Sequence, residues 1–271
     1  MQYSVLMSVY AKETPGCLRT AIKSILNKSA PASEFVIVED GELPDSLENV
    51  IRRFEEENPG LFRVIRRKVN RGLGYSLMEG VKACRYPVIA RMDSDDYSTQ
   101  ERCRRQLEEI ENGYDLVGSD IDEFEGVPAN IISSKKMPET EEEIKKYMKF
   151  RNPFNHPSVM FRKEAVLAAG NYRSLYRLED YDLWIRMIAH GARCINIDEP
   201  LVRMRVNREF YARRGGPANL KSHFILRKKM LQSGLITPLE YAAGCLMMTA
   251  RAYCPGFIKE KIYRTKLRSK S

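Results

Sequence analysis

The chain has 271 residues, 43% hydrophobic and 30% charged, enough apolar material for an α/β core and enough charge for solubility. Its formal charge of +9 is unevenly spread: residues 201–271 hold 16 Lys/Arg against 3 Asp/Glu, a net of +13, which leaves −4 for the first 200. Six scattered cysteines without a Cys-x-x-Cys, and three separated histidines, exclude a zinc site of the usual spacing, so any metal should sit on carboxylates.

The N-terminal run Tyr3-Ser4-Val5-Leu6-Met7-Ser8-Val9 reads as a strand and lacks the regions of a secretory signal. Further apolar runs at 35–38, 62–65, 88–92 and 116–117 fit buried strands. Between them, Leu18, Ile22, Ile25 and Leu26 recur at helical spacing. The same holds for Leu47, Val50, Ile51 and Phe54, and for Leu107 and Ile110 within 99–112. Alternation of this kind predicts a parallel sheet with helices on both faces, binding its ligand beyond the C-terminal strand ends. Ser8 and Tyr10 follow the first strand, Glu39-Asp40-Gly41 the second and Asp93-Ser94-Asp95-Asp96 the fourth.

After about Gly126 the pattern changes. A Pro-flanked run at 128–138 precedes helix candidates at 139–149, 163–169 and 180–190. Strand-like segments follow at 194–197 and 201–206, then Gly215-Gly216-Pro217 and a helical stretch at 217–254 broken by Gly234 and Pro238. The predicted organisation is a catalytic unit over 1–216, with a donor half to about 126 and an acceptor half to 216. A basic helical segment at 217–271 completes it. The late apolar stretch at 241–250 is about half the ~20 residues of a spanning helix, so no bilayer anchor is expected.

Three segments carry chemistry. In Arg91-Met92-Asp93-Ser94-Asp95-Asp96 three carboxylates crowd a strand end, where a hard cation, Mg²⁺ or Mn²⁺, would relieve their repulsion and bridge to substrate phosphates. A turn with a helix N-cap explains the same residues. Glu179-Asp180, ahead of the apolar helix with Trp184, reads either as helix capping or as a general base for a hydroxyl nucleophile. Asn70-Arg71-Gly72-Leu73-Gly74 offers glycines at a helix start, where backbone and anion can approach, but lacks both Rossmann and P-loop spacing.

Taken in order, Ser8-Val9-Tyr10, Glu13, Glu39-Asp40-Gly41, Asn70-Arg71-Gly72, Asp93-Ser94-Asp95-Asp96, Asn155-His156-Pro157-Ser158 and Glu179-Asp180 resemble family 2 glycosyltransferases over roughly residues 3–215. The likeness is greatest to bacterial enzymes that extend lipid-linked O-antigen or capsule repeat units. It implies a GT-A fold, a UDP-sugar donor and inversion at the anomeric centre. Ser8, Tyr10, Glu13, Asp40, Asn70 and Arg71 would surround the nucleotide sugar, with Asp93 and Ser94. Asp95 would hold Mn²⁺ or Mg²⁺ with Asp93 and Asp96. Asp180 would be the base, with Glu179 and Trp184 shaping the acceptor pocket. His156 is implied at the acceptor or diphosphate, although core packing explains it equally.

The Gln-x-x-Arg-Trp of processive members is missing, which favours addition of a single sugar. Arg205, Arg208, Tyr211, Arg213 and Arg214 stand where leaving-group contacts are expected. The expected partners are a UDP-sugar, a glycan acceptor on a polyprenyl diphosphate and an anionic membrane surface, at the inner face of the cytoplasmic membrane. For that surface the candidate is a basic amphipathic segment at 255–271, with a solvated tail or a packed helix as alternatives. A sugar nucleotidyltransferase would need a Gly-rich basic loop after the first strand, which 10–16 does not provide. A nucleic-acid binder would leave the acidic strand ends unexplained, so no nucleic acid is expected as a partner.

Overall fold

In the computed structural model, which describes residues 1–206 and 217–253, strand β1 (Tyr3–Val9) lies between β2 (Glu34–Glu39) and β4 (Val88–Asp93), parallel to both. Strand β3 (Phe62–Ile65) extends the parallel part beyond β2. Alternation along β1 divides the core. Val5, Met7 and Val9 join Leu18, Ile22 and Ile25 of α1 (Pro15–Leu26) and Leu47, Val50 and Ile51 of α2 (Asp45–Glu57). Leu6 faces the other way, towards Leu77 and Val81 of α3 (Leu73–Ala83). A sheet covered on both faces reads as continuous apolar runs, and these were the runs legible in the sequence.

Among the described residues the sheet has nine strands, ordered β3-β2-β1-β4-β8-β6-β9-β5 with β7 paired to β6. Beyond β4 the directions mix. Strand β8 (Met160–Arg162) is antiparallel to β4 and to β6, whereas β6 and β9 run parallel. The short β5 (Tyr97–Ser98) returns antiparallel to β9. The parallel sheet expected from the alternation is therefore its first half.

Strand β6 (Leu116–Phe124) is nine residues long and buried throughout, although only 116–117 read as strand. Its polar part is satisfied by β7 (Ile131–Lys135): Ser133 donates to Glu123 and Ser134 to Asp122, each at 2.6 Å. Those pairs hide the strand from a hydropathy pattern. The two segments predicted at 194–197 and 201–206 form one strand, β9 (Cys194–Arg205), running through Pro200 with a register shift opposite Asp120.

Helix α4 (Arg102–Glu111) packs Cys103, Leu107 and Ile110 under the sheet. Helix α5 (Glu141–Tyr147) starts in a capping box in which Thr140 and Glu143 serve each other's backbone. Helices α6 (Lys163–Ala168) and α7 (Glu179–Ala189) follow at the places their periodicity predicted. Further along the chain, α8 (Pro217–Gln232) and α9 (Pro238–Tyr253) are separated at Gly234, whose φ is +71°. Leu226, Met230 and Ile236 enter the core that holds Leu6 and Trp184. Among the described residues no helix is long and apolar enough to cross a membrane. Arg208, Tyr211, Arg213, Arg214 and the segment 255–271 lie outside the described residues.

Candidate active site

Strand register brings the polar ends together. Ser8 is paired with Asp93 and Val9 with Glu39, so the chain leaves β1, β2 and β4 at one edge of the sheet. Tyr10 is exposed there, and Ser8 and Glu13 are half-buried. Ser94 donates to Glu13 Oε2 at 2.6 Å, tying the loop after β1 to the loop after β4.

Asp40 is 4% exposed, and its two oxygens accept the backbone N–H groups of Arg71 at 2.8 Å and Gly72 at 2.9 Å. Asn70 Nδ2 returns a bond to the Asp40 carbonyl at 3.0 Å. Asp40 thus organises the loop at the start of α3, a task its position in the sequence does not disclose. Gly41 has a φ of +89°, and a Cβ there would stand 2.9 Å from the Asn70 nitrogen, so the loops meet only through glycine. Arg71 is exposed, and its guanidinium lies 4.4 Å from the centre of the Tyr75 ring, as does that of Arg67.

On β4, Arg91 is 1% exposed and donates through Nη1 and Nη2 to the two oxygens of Asp93. Asp95 is half-buried, and its carboxyl is pushed up to about 7, first by burial and then by Asp93 and Glu13. Asp96 is raised well above the carboxylate range by burial and by Asp95 and Asp93. Its Oδ1 accepts the Arg205 N–H at 2.7 Å, while Oδ2 is buried without a partner. Arg205 also donates Nε to the Asp95 carbonyl at 3.0 Å, which brings β9 to this loop.

Crowded, under-neutralised carboxylates suit a divalent cation with oxygen ligands. Among the described residues no three His, Cys, Asp or Glu side chains converge into a cage. Two members of the expected ligand set have partners within the protein. Asp93 turns both oxygens to Arg91, and Asp96 is buried under the loop holding the Arg205 backbone. Asp95, half-buried, is held in neither of these contacts.

Glu179 and Asp180 open α7, where the helix dipole favours negative charge. Asn152 donates to Asp180 Oδ2 at 2.6 Å. Burial raises the Asp180 carboxyl, opposed by the Tyr181 N–H, Asn152 and the charge of Arg91. Glu179 is pushed up to about 7 by burial, with Asp180 adding to the rise and backbone N–H groups and Arg91 opposing it. A Cβ on Gly74 would come 2.8 Å from Glu179 Cγ, so Glu179 rests on the first turn of α3. Arg91 therefore acts on Asp93 and Asp96 on one side and on Glu179 and Asp180 on the other. Arg91 is thus the cation common to the two acidic motifs.

Trp184 and His156, both expected on the acceptor side, pack against each other. Trp184 is fully buried, packed edge-on against Phe154, His156 and Tyr172, and lines no pocket. Its helical position points it inward, since α7 must bury one face against the sheet. His156 shares a hydrogen bond with the Tyr172 hydroxyl at 3.0 Å, and its basicity is pushed well down by burial and by Arg91. Arg205 stands beside Asp95 as described, whereas Arg213 and Arg214 lie outside the described residues.

The family model for glycosyl transferase family 2 matches residues 4–169, which span every one of these elements except α7 and β9. The chain belongs to that family. One relative, an uncharacterized glycosyltransferase of Haemophilus influenzae, is 34% identical over 99% of this chain and 100% of its own. The UDP-Gal:alpha-D-GlcNAc-diphosphoundecaprenol beta-1,3-galactosyltransferase of Escherichia coli is 35% identical over 79% of this chain and 78% of that protein. Among solved structures, S. aureus TarS superposes with a TM-score of 0.67 at 15% identity, covering 98% of this chain and 46% of TarS. The mannosyltransferase PcManGT of Pyrobaculum calidifontis gives 0.66 at 15% identity, over 95% and 71%. The fold is GT-A, and the chain is a family 2 glycosyltransferase.

Three residues of this site were passed over in the sequence. Arg91 carried a signal: a cation inside an apolar strand must find a partner. Asn152 and Tyr172 carried none, because their partners, Asp180 and His156, are fixed only by folding.

Proposed function

We propose that this glycosyltransferase moves one sugar from a UDP-sugar to a hydroxyl of a glycan acceptor borne on a polyprenyl diphosphate, with inversion, in bacterial surface polysaccharide synthesis. The observation that carries the reading is the buried Arg91, paired with Asp93 and close enough to Glu179 and Asp180 to lower both carboxyls. Donor charge and acceptor proton are handled on either side of that cation. Support for the substrates comes from relatives: the E. coli enzyme is named for UDP-Gal and a diphosphoundecaprenol-linked acceptor, and an Erwinia amylovora relative, 32% identical, is named for amylovoran biosynthesis.

In this reading Ser8, Tyr10, Glu13, Asn70, Arg71 and Ser94 surround the nucleotide, on a loop held in shape by Asp40. Asp180 accepts the proton of the acceptor hydroxyl as its oxygen bonds to the anomeric carbon. The bond from that carbon to the diphosphate breaks in line, and UDP leaves with the electron pair. Asn152 fixes the Asp180 carboxylate, and Arg91 keeps it from rising further. Mn²⁺ or Mg²⁺ at Asp95, when bound, would neutralise diphosphate charge; PcManGT has been solved with GDP-Man and Mn²⁺. The site of action is the cytoplasmic face of the membrane, with the protein held peripherally.

Release of UDP from a panel of UDP-sugars, with and without Mn²⁺ and a soluble diphosphate-linked acceptor analogue, tests the reading. Acceptor-dependent release of UDP with one donor is expected. Failure of every UDP-sugar to bind or to release UDP would overturn it.

A further inference from the structure

The last described helix has an uncovered apolar face whose direction is fixed from within. Gly244 of α9 lies against Arg227 of α8, and a Cβ at that position would overlap the Arg227 guanidinium. Arg227 Nη1 donates to the Lys149 carbonyl at 2.8 Å, and its Nη2 to the Glu240 carbonyl. Lys149 in turn pairs with the Glu240 carboxylate at 2.8 Å. Gly244 and Met248 are thereby turned inward, and the one acidic residue of α9 is engaged at its base.

With that phase set, the opposite face holds Leu239, Ala242, Ala243, Leu246, Met247 and Ala250, all exposed. Leu239 is 80% and Leu246 73% exposed, two turns apart on the same side. Every exposed α9 position among the described side chains is apolar. The sequence that carries this stripe is basic. Residues 217–271 hold 11 Lys/Arg against 2 Asp/Glu, and Lys221 and Lys228 are exposed on α8.

We propose that the outer face of α9 docks the enzyme on an anionic lipid bilayer, the apolar stripe entering the headgroup boundary and the basic residues of 217–271 meeting acidic headgroups. An apolar helical face bordered by cations is the pattern of an interfacial helix, and cations near an acidic leaflet gain in proportion to their number. A second copy of the chain fits less well. Two such surfaces would bring like charges together, and two leucines, one methionine and three alanines fall short of the about 800 Å² per partner of a stable interface. The proposal deepens the membrane reading above by naming the surface, and moves it from the tail at 255–271 to a helix packed on the catalytic unit.

The full chain is tested on vesicles of phosphatidylcholine with and without phosphatidylglycerol. Wild type should partition onto the anionic vesicles alone and come off with added salt. The double variant L239Q/L246Q should lose about tenfold or more in partitioning, with its melting temperature and UDP release from the donor unchanged. Because Trp184 is the only tryptophan and is buried, L246W provides a reporter. Its emission should shift to the blue on anionic vesicles. Wild-type partitioning by L239Q/L246Q, an L246W spectrum indifferent to lipid, or a wild-type dimer that L239Q/L246Q dissolves would each overturn the proposal. Vesicle binding is read apart from UDP release, so loss of the donor reaction in every protein would count against the transferase reading and leave the docking result standing.

Discussion

Arg91 and Asp93, two residues apart on β4, face each other in a two-point ion pair, Nη1 to Oδ2 at 2.8 Å and Nη2 to Oδ1 at 2.5 Å. Alternation along a strand puts i and i+2 on one face, so the pair needs no turn to form. That face looks towards α3 and α7, and it sets a buried cation between the acidic loop after β4 and the acidic start of α7. The pair joins the two halves of the site from below.

Replacing Arg91 should therefore injure both halves. Arg91→Met leaves Asp93 without its partner and the neighbouring carboxylates without a cation, a loss of about 2 kcal/mol, or about 5 °C in melting temperature. Arg91→Lys keeps the charge but not the planar fork, and should fall between wild type and Arg91→Met in both melting temperature and donor affinity. Thermal denaturation and donor titration check the order.

Asp180→Asn keeps the shape of the side chain and an oxygen for Asn152 but cannot accept a proton. Donor affinity should hold while transfer falls by roughly 10²-fold or more. A parallel loss of donor affinity would make Asp180 a structural or donor-binding residue. Glu179→Gln should be the milder lesion in transfer.

Glu179 also makes a prediction about pH. Its folded-state carboxyl is raised to about 7, so burial favours the protonated form. Its contribution to stability is full below the ordinary glutamate range and is lost as pH rises through about 7. Glu179→Gln cannot ionise, so its melting temperature should match wild type near about pH 5 and exceed it by a few degrees, about 1 kcal/mol, near about pH 8. A constant difference across that range would place the titration elsewhere.

Asp95 is crowded by Asp93 and Glu13. Removing its charge should relieve that repulsion in metal-free protein and abolish the response to metal. Asp95→Asn is expected to melt above wild type in EDTA, to gain nothing on addition of Mn²⁺, and to lose metal-dependent UDP release. Stabilisation of both proteins by Mn²⁺ to the same extent would move the cation site away from Asp95.

Gly41→Ala forces an L side chain into a φ of +89° and against the Asn70 backbone 2.9 Å away. A cost of about 1–3 kcal/mol is expected, together with weaker donor binding, because Asp40 and Asn70 shape the loop bearing Arg71. Unfolding curves and donor titration of this variant measure the two effects separately.

What could be read from the sequence was whatever depends on neighbours along the chain. The apolar runs of β1, β2 and β4 are buried on both faces, so hydrophobicity alone disclosed them, and the 3.6-residue spacing did the same for α1 and α2. The acidic motifs stood out because carboxylates at strand and helix ends are unusual whatever surrounds them. Strand β7 and most of β6 escaped, since polar residues there are stabilised by partners across the sheet instead of by their own pattern, and β8, with three residues, is too short to show a pattern. Roles within the motifs also waited for folding. Trp184 went to the core, His156 to Tyr172 and Asp93 to Arg91, while Asp40 took the backbone of a loop thirty residues on. A charge or hydrogen-bonding group is defined by what lies within a few ångströms of it. The amino-acid order determined which groups the protein has, and only the tertiary structure decided which of them remain free to meet a substrate.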